Sequence, residues 1–292
     1  MSSAAAPSLS RKILTWWTFF RVSIEERLVY RADFALGTLM RFLQVIILIY
    51  LYAAVYDTVQ ADSGQANSDE AAIHGFTYLN IIAYVLLVYI SRAFSSMPGL
   101  ATGISNQIRN GEIKKFLIQP VDMVGCLLVQ RVAHKLVYYL IAVLPFGLVF
   151  FLARGYFEQG LPSAEVLLIY VASLILGFLL GFFMECCLGL IAFWFLEITS
   201  LTFIYMLLSF ILSGHMFPLD WVPSEPINFK LIVDCLPFKY LAYFPAAVFL
   251  GKVQGTELYW GLFVEFVWVT FFIVMTRILW WRGVKRYSGF GG

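Results

Sequence analysis

Charge is what this sequence lacks most. Only 13% of its 292 residues are Asp, Glu, Lys or Arg, while 61% are hydrophobic and 18% aromatic. A soluble domain of this length needs more polar surface to stay dissolved, so the composition implies an integral membrane protein. Cysteine is scarce too: Cys126, Cys186, Cys187 and Cys235 are the only four. Adjacent Cys186 and Cys187 are poor partners for each other, and the membrane separates the other two, so no disulfide framework is expected. His74, His134 and His215 show no paired spacing, and no metal-type Cys/His pattern occurs. No Lys precedes Ser or Thr, which excludes the phosphate loop GxxxxGK[ST], and no GxSxG elbow is present. An intramembrane enzyme is poorly supported, and the chain does not bind ATP through that loop.

What remains is apolar runs, with positive charge sorted to one side of them. Runs at 34–56, 73–94, 132–152, 165–194, 199–217 and 257–281 predict an all-α integral membrane protein with six transmembrane helices. Most of the 20 Lys and Arg residues fall on one side, among them Arg11, Lys12, Arg27, Arg92, Arg109, Lys114, Lys115, Arg131, Lys135, Arg282 and Arg286. Positive residues resist translocation, so that side is cytoplasmic and so are both termini. The loop DTVQADSGQANSDE, on the opposite side, has no Lys or Arg. Basic residues gathered at membrane boundaries rather than on an exposed face give no footprint for nucleic acid. The whole chain, 1–292, reads as one transmembrane domain in an inner (plasma) membrane of bacterial type.

Three segments fall outside this pattern. At 10–31, Ile13, Trp17, Phe20, Ile24 and Leu28 recur at helical steps, predicting an amphipathic helix in the lipid headgroup layer. At 100–120, Arg109, Glu112, Lys114 and Lys115 surround Gly111, with Ile108, Ile113, Phe116 and Leu117 apolar and Pro120 closing the run. A free loop gains nothing by exposing those apolar residues, so a cytoplasmic partner contact is expected. At 214–255, FPLDWVPSEP and LPFKYLAYFP are too broken for a span and too apolar for a plain loop. They predict short outer helices or a re-entrant hairpin before the last span.

Ionisable residues inside the runs are few, and each costs ~2.5–3.5 kcal/mol to insert at the centre of a spanning helix. Glu185 and Arg277 have matching predicted depths and fit a structural ion pair. Glu265, in the outer half of the last run, fits a structural role or a transport path equally. Gly177 and Gly181 make a GxxxG spacing that permits a close helix–helix contact.

RNGEIKKFLIQPV resembles the segment between the second and third spans of type-2 ATP-binding-cassette (ABC) exporter permeases. FPLDWVP followed by LPFKYLAYFPAAVFLG resembles the outer segment before the last span of that family. RADFALGTL and the basic, glycine-ending tail are similar to it as well. The likeness is greatest to the small branch without a fused ATPase. It implies a six-helix subunit that dimerises with a second copy or a related permease and docks separate ABC ATPase subunits. On the matching positions, Arg109, Asn110, Gly111, Glu112, Ile113, Lys114, Lys115 and Phe116 would form the coupling helix, and 10–31 the interfacial elbow. The re-entrant outer helices at 218–251 would include Pro218, Trp221, Pro223, Pro237, Phe238 and Pro245. Gln119 departs from the pattern, where many relatives carry a basic residue before the proline.

The expected function is ATP-driven export of an amphipathic or lipid-like cargo by alternating access at the permease dimer interface. No cofactor is expected in this chain, because ATP and magnesium belong to the partner ATPase. Membrane lipid is the other expected partner. A lipid-modifying intramembrane enzyme and a non-transporting scaffold are the alternatives.

Overall fold

The computed structural model describes residues 9–29, 31–63, 72–119, 121–157, 160, 162–195, 197–222 and 229–287. Expectations resting on Pro120, on Pro223 and on the tail after Tyr287 lie outside the described residues. Among the described residues, every regular element is helical. In chain order these are α1 (Leu9–Val29), α2 (Arg31–Ser63), α3 (Tyr78–Ser95), α4 (Leu100–Arg109), α5 (Lys114–Ile118) and α6 (Met123–Leu152). They continue with α7 (Ala164–Leu190), α8 (Thr199–Leu212), α9 (Phe229–Cys235), α10 (Tyr243–Phe249) and α11 (Thr256–Arg286). Short 3-10 turns at Ile191–Phe193, Leu219–Trp221 and Pro237–Leu241 link several of them.

Among the described residues, five helical stretches are long and apolar enough to cross a membrane: Phe42–Ala61, Tyr78–Arg109, Met123–Phe151, Ala164–Phe193 and Thr256–Arg286. The protein is therefore a multi-pass membrane protein. The run expected to span at 199–217 forms the shorter α8, of 14 residues. At ~1.5 Å per residue that reaches about 21 Å, short of the ~30 Å hydrocarbon core. The helix stops because the chain turns at Ser213 and Gly214, the latter at φ 75°. In α2 the helix outruns the expected end at residue 56 and continues to Ser63, since nothing between Asp57 and Ser63 is Gly or Pro.

The chain divides into two compact units, Met1–Phe42 with Lys114–Phe151, and Leu43–Ile113 with Leu152–Gly292. In the first, Trp16 of α1 lies over Gly125 of α6, where a Cβ would come within 2.9 Å of the indole ring. Ile13, Trp16, Trp17 and Phe20 of α1 and Leu128, Val129 and Val132 of α6 line an open groove of about 450 Å³. Even so, Ile13, Trp17 and Leu28 on the apolar side of α1 remain exposed, as do Leu14, Val22 and Val29 off that side. Phe42, at the end of this unit's part of α2, packs its ring 5.1 Å from that of Phe146.

The second unit is built around α3 and α7. Thr77 caps α3 by accepting from the Asn80 amide, and Ser163 caps α7 by accepting from that of Val166. Residues 81–89 of α3 are buried without interruption, the pattern of a helix enclosed on all sides. Small residues on α7 let neighbours approach at backbone distance. Gly181 faces the Ser95 carbonyl of α3 so closely that no Cβ fits, and a Cβ on Gly189 would meet Ile104 and Ala101 of α4 at 2.8 and 2.9 Å. The GxxxG pair thus serves contacts inside this unit, Gly181 with α3 and Gly177 with the outer segment.

Candidate functional site

The basic segment expected to form one coupling helix is two pieces. α4 ends at Arg109, residues 110–113 turn, and α5 begins at Lys114. Gly111 supplies the reason: its φ of 76° lies in the left-handed region, which breaks the right-handed helix. On α4, Leu100, Ala101, Ile104, Ser105 and Ile108 are buried, while Arg109 and Asn110 stay exposed. Arg109 donates from Nη2 to Asn106 Oδ1 at 3.1 Å, which holds its guanidinium along the last turn of α4. Ile113 is fully buried and its amide donates to the Gln107 carbonyl at 3.2 Å, anchoring the turn to the second unit. Glu112 is exposed.

α5 belongs to the first unit and has no buried residue. Lys114 and Lys115 are exposed, Lys115 Nζ sits 5.1 Å from the half-buried Phe116 ring, and Leu117 and Ile118 are 42% and 83% exposed. Of the apolar residues singled out in this segment, Ile113 is used in the core and Leu117 is left bare. The bare part adjoins the exposed Lys114 and Lys115, a composition suited to an acidic, partly apolar partner surface.

The outer segment is more deeply set than a surface cap. From Pro237 to Val248 nearly every residue is buried. The Leu241 carbonyl accepts from Ser95 Oγ at 2.8 Å, at the last residue of α3, whereas Lys252 Nζ reaches the Gly75 carbonyl at 2.7 Å, just before α3 starts. The stretch between therefore runs along most of α3. The Tyr243 amide donates to the Ser213 carbonyl at 2.9 Å and its hydroxyl to Asp220 Oδ2 at 2.8 Å, which ties the segment to the chain leaving α8. Tyr84 of α3 donates to the Gly214 carbonyl, and Tyr52 of α2 to that of Met216.

Pro218 is buried at the start of a 3-10 turn whose Trp221 sets its ring edge-on to Tyr52 and Phe76. Pro237 starts the next turn at its N-terminus, where a missing N–H costs nothing. Phe238 is buried with its ring 6.2 Å from that of Tyr205 on α8, and Pro245 is buried in the first turns of α10.

Each ionisable residue inside the helices has a distinct setting. Glu265 on α11 has no exposed surface, and its Oε2 accepts from Ser173 Oγ of α7 at 2.8 Å. Its Oε1 has no hydrogen-bond partner among the described residues. Glu185 is half-buried on α7, and it acts electrostatically on Arg92 of α3 and Tyr205 of α8. Arg277, paired with Glu185 by depth in the sequence, is exposed on α11. Arg92 is the residue that sequence reasoning missed. It donates from Nη1 to Ser209 Oγ of α8 at 3.2 Å, inside the packed unit. The available signal was its position three residues before the end of α3, so that the helix continues beyond it.

A family model described as ABC-2 family transporter protein matches residues 66–291. The chain belongs to the ABC-2 transporter family. No curated protein matches it. The matched region takes in all of the second unit from α3 onward, α5 and α6, and so both the basic segment and the outer segment. As an ABC-2 transporter chain it is a membrane transport component.

Proposed function

We propose that this chain is the permease subunit of an ATP-driven exporter, working with a separate ABC ATPase. Two permease copies, or this chain and a related one, form the assembly in an inner (plasma) membrane of bacterial type. Both termini face the cytoplasm, and α1 lies in the headgroup layer; the bare apolar side of α1 supports that placement. α8, with its neighbouring turns, completes the sixth pass. Nucleotide and magnesium are held by the ATPase and not by this chain.

One observation supports the reading: α7 is gripped both at its middle and at its C-terminal end. α4, whose exposed end bears Arg109, is wedged on α7 at Gly189, and the outer segment is seated on α7 at Gly177. A push on residues 109–113 therefore passes through α4 to α7, and from α7 to the outer segment, without crossing a flexible joint. Closely packed elements transmit such shifts because their contacts switch between discrete arrangements rather than deform smoothly. The outer segment acts as a re-entrant gate, and its reach to Ser95 supports that role. An amphipathic or lipid-like cargo suits the aromatic and aliphatic faces that α8 leaves exposed.

Co-purification in mild detergent tests the reading directly. The wild-type chain should bring down a nucleotide hydrolase, and replacing Glu112, Lys114 and Lys115 together by Ala should reduce that recovery at least tenfold. Melting of the membrane part should not change, because all three side chains are exposed. Undiminished recovery with the triple variant would remove the coupling assignment.

A further inference from the structure

Glu265 is the one carboxylic acid of α11 that the permease mechanism described so far leaves unused and fully buried. Its neighbours come from two other elements. Ser173 of α7 donates to Oε2, and the Tyr240 side chain of the outer segment lies within its electrostatic reach. A Cβ placed on Gly177, one turn along α7 from Ser173, would sit 3.1 Å from the Tyr240 carbonyl and 3.7 Å from Glu265 Oε1. On α11 itself, Gly261 lies one turn from Glu265 and is packed against the Phe244 ring so closely that no Cβ fits. Tyr240 and Phe244 pack edge to face, with ring centroids 5.3 Å apart. The carboxyl group therefore lies where α7, α11 and the outer segment converge.

Among the described residues no cation faces it. A charge held there would be desolvated without compensation, whereas a hydrogen-bonded carboxyl joins the two helices under the seated segment. We propose that the Glu265–Ser173 hydrogen bond is a clasp that keeps residues 237–249 seated between α7 and α11. Hydrogen bonding, not charge, is the property of Glu265 that the clasp uses, and cargo passage requires the clasp to open. Glu265 is thus a positioning residue for transport. Its place in transport rests on the permease reading; the clasp itself does not.

The chain supplies its own controls for a test by cysteine accessibility. Cys235 in α9 is exposed, while Cys126, Cys186 and Cys187 are buried. Ala246 in α10 is completely buried, so Ala246→Cys in a Cys235→Ser background reports whether the segment has lifted. Intact cells expressing the full chain are treated with a membrane-impermeant maleimide, without added nucleotide. Residue 246 should be protected in the parent and in Glu265→Gln, which keeps the hydrogen bond to Ser173. Glu265→Ala and Ser173→Ala should each label at least tenfold faster, and the double variant no faster than either alone. Melting in detergent separates lifting from unfolding: it should stay near the parent value for Ser173→Ala even where Glu265→Ala accumulates poorly.

Protection of residue 246 in Ser173→Ala as complete as in the parent overturns the clasp. Labelling of Glu265→Gln as fast as Glu265→Ala overturns the claim that charge is dispensable. Failure of the permease reading shows elsewhere, as absence of a co-purifying ATPase, and leaves these labelling rates unchanged.

Discussion

α7 and α8 are both strongly apolar helices, yet one is buried along a whole face and the other is nearly bare. Along α7 the face from Ser173 through Gly177, Gly181 and Gly189 is buried against α11, the outer segment, α3 and α4. Along α8 only Ser209 and Leu212 are buried, with Tyr205 and Thr202 half-buried one and two turns before Ser209. Leu201, Phe203, Ile204, Met206, Leu207, Leu208 and Phe210 are exposed. Apolar character does not separate the two, because lipid solvates Leu and Phe as well as protein does. Backbone access does. α7 has small residues where neighbours must approach, whereas α8 has no glycine and holds on through a stripe that includes Thr202, Tyr205 and Ser209.

The largest effect should come from closing one of the notches on α7. Gly181→Leu places a branched side chain against the Ser95 backbone and should cost roughly 3 kcal/mol or more, the upper range for overpacking. Yield and thermal melting in mild detergent measure it. Gly103→Ala is the matched control, since a Cβ there meets nothing within 4 Å. It should leave melting unchanged or raise it by up to ~1 kcal/mol of stability through better helix propensity. A Gly181→Leu protein that melts like the parent would mean α3 and α7 are not in backbone contact.

These notches mark the limit of what the sequence makes legible. The long apolar runs, the broken outer segment, the helical N-terminal segment and the family motifs follow from composition, periodicity and punctuation, which are local properties. Which face of α7 each neighbour uses is not local. Gly177 and Gly181 advertise a close contact but not with what, and Gly189 carries no motif at all. Arg92 reads as a boundary charge because hydropathy windows blur helix ends by a turn, while its partner Ser209 lies 117 residues away. Gly111 was visible in the sequence, yet its φ of 76° is a tertiary outcome that splits the expected coupling helix in two. Glu265 was visible as a costly residue, but only the fold shows Ser173 opposite it.

A middle-sized effect should follow from weakening the stripe that holds α8. Ser209→Ala removes the hydroxyl that accepts from Arg92 and should cost about 0.6–1.7 kcal/mol, the range measured for hydrogen bonds between membrane helices. Arg92 keeps its attraction to Glu185, so the helix should loosen without being released. Faster hydrogen exchange confined to α8, with the exchange of α3 unchanged, is the expected result. Equal acceleration in both helices would show that α8 is a structural strut of the whole unit and not a separately held element.

The smallest effect is expected on the bare side of α8, and it sharpens the contrast most. Phe203 is 67% and Met206 62% exposed. Replacing both by Ala should shift the stability of the isolated chain by no more than ~0.5 kcal/mol per site, because most of each side chain is left uncovered by the described residues. In the assembled transporter the outcome should differ if a second permease covers this side. Cross-linking between copies should then fall while melting of the separated chain stays fixed. Substitutions on the buried face of α7 could not divide the two readouts, since the side chains of that face are already packed within one chain. A helix held by one stripe, with its remaining surface apolar and unclaimed, is the element free to change partners when α7 is pushed.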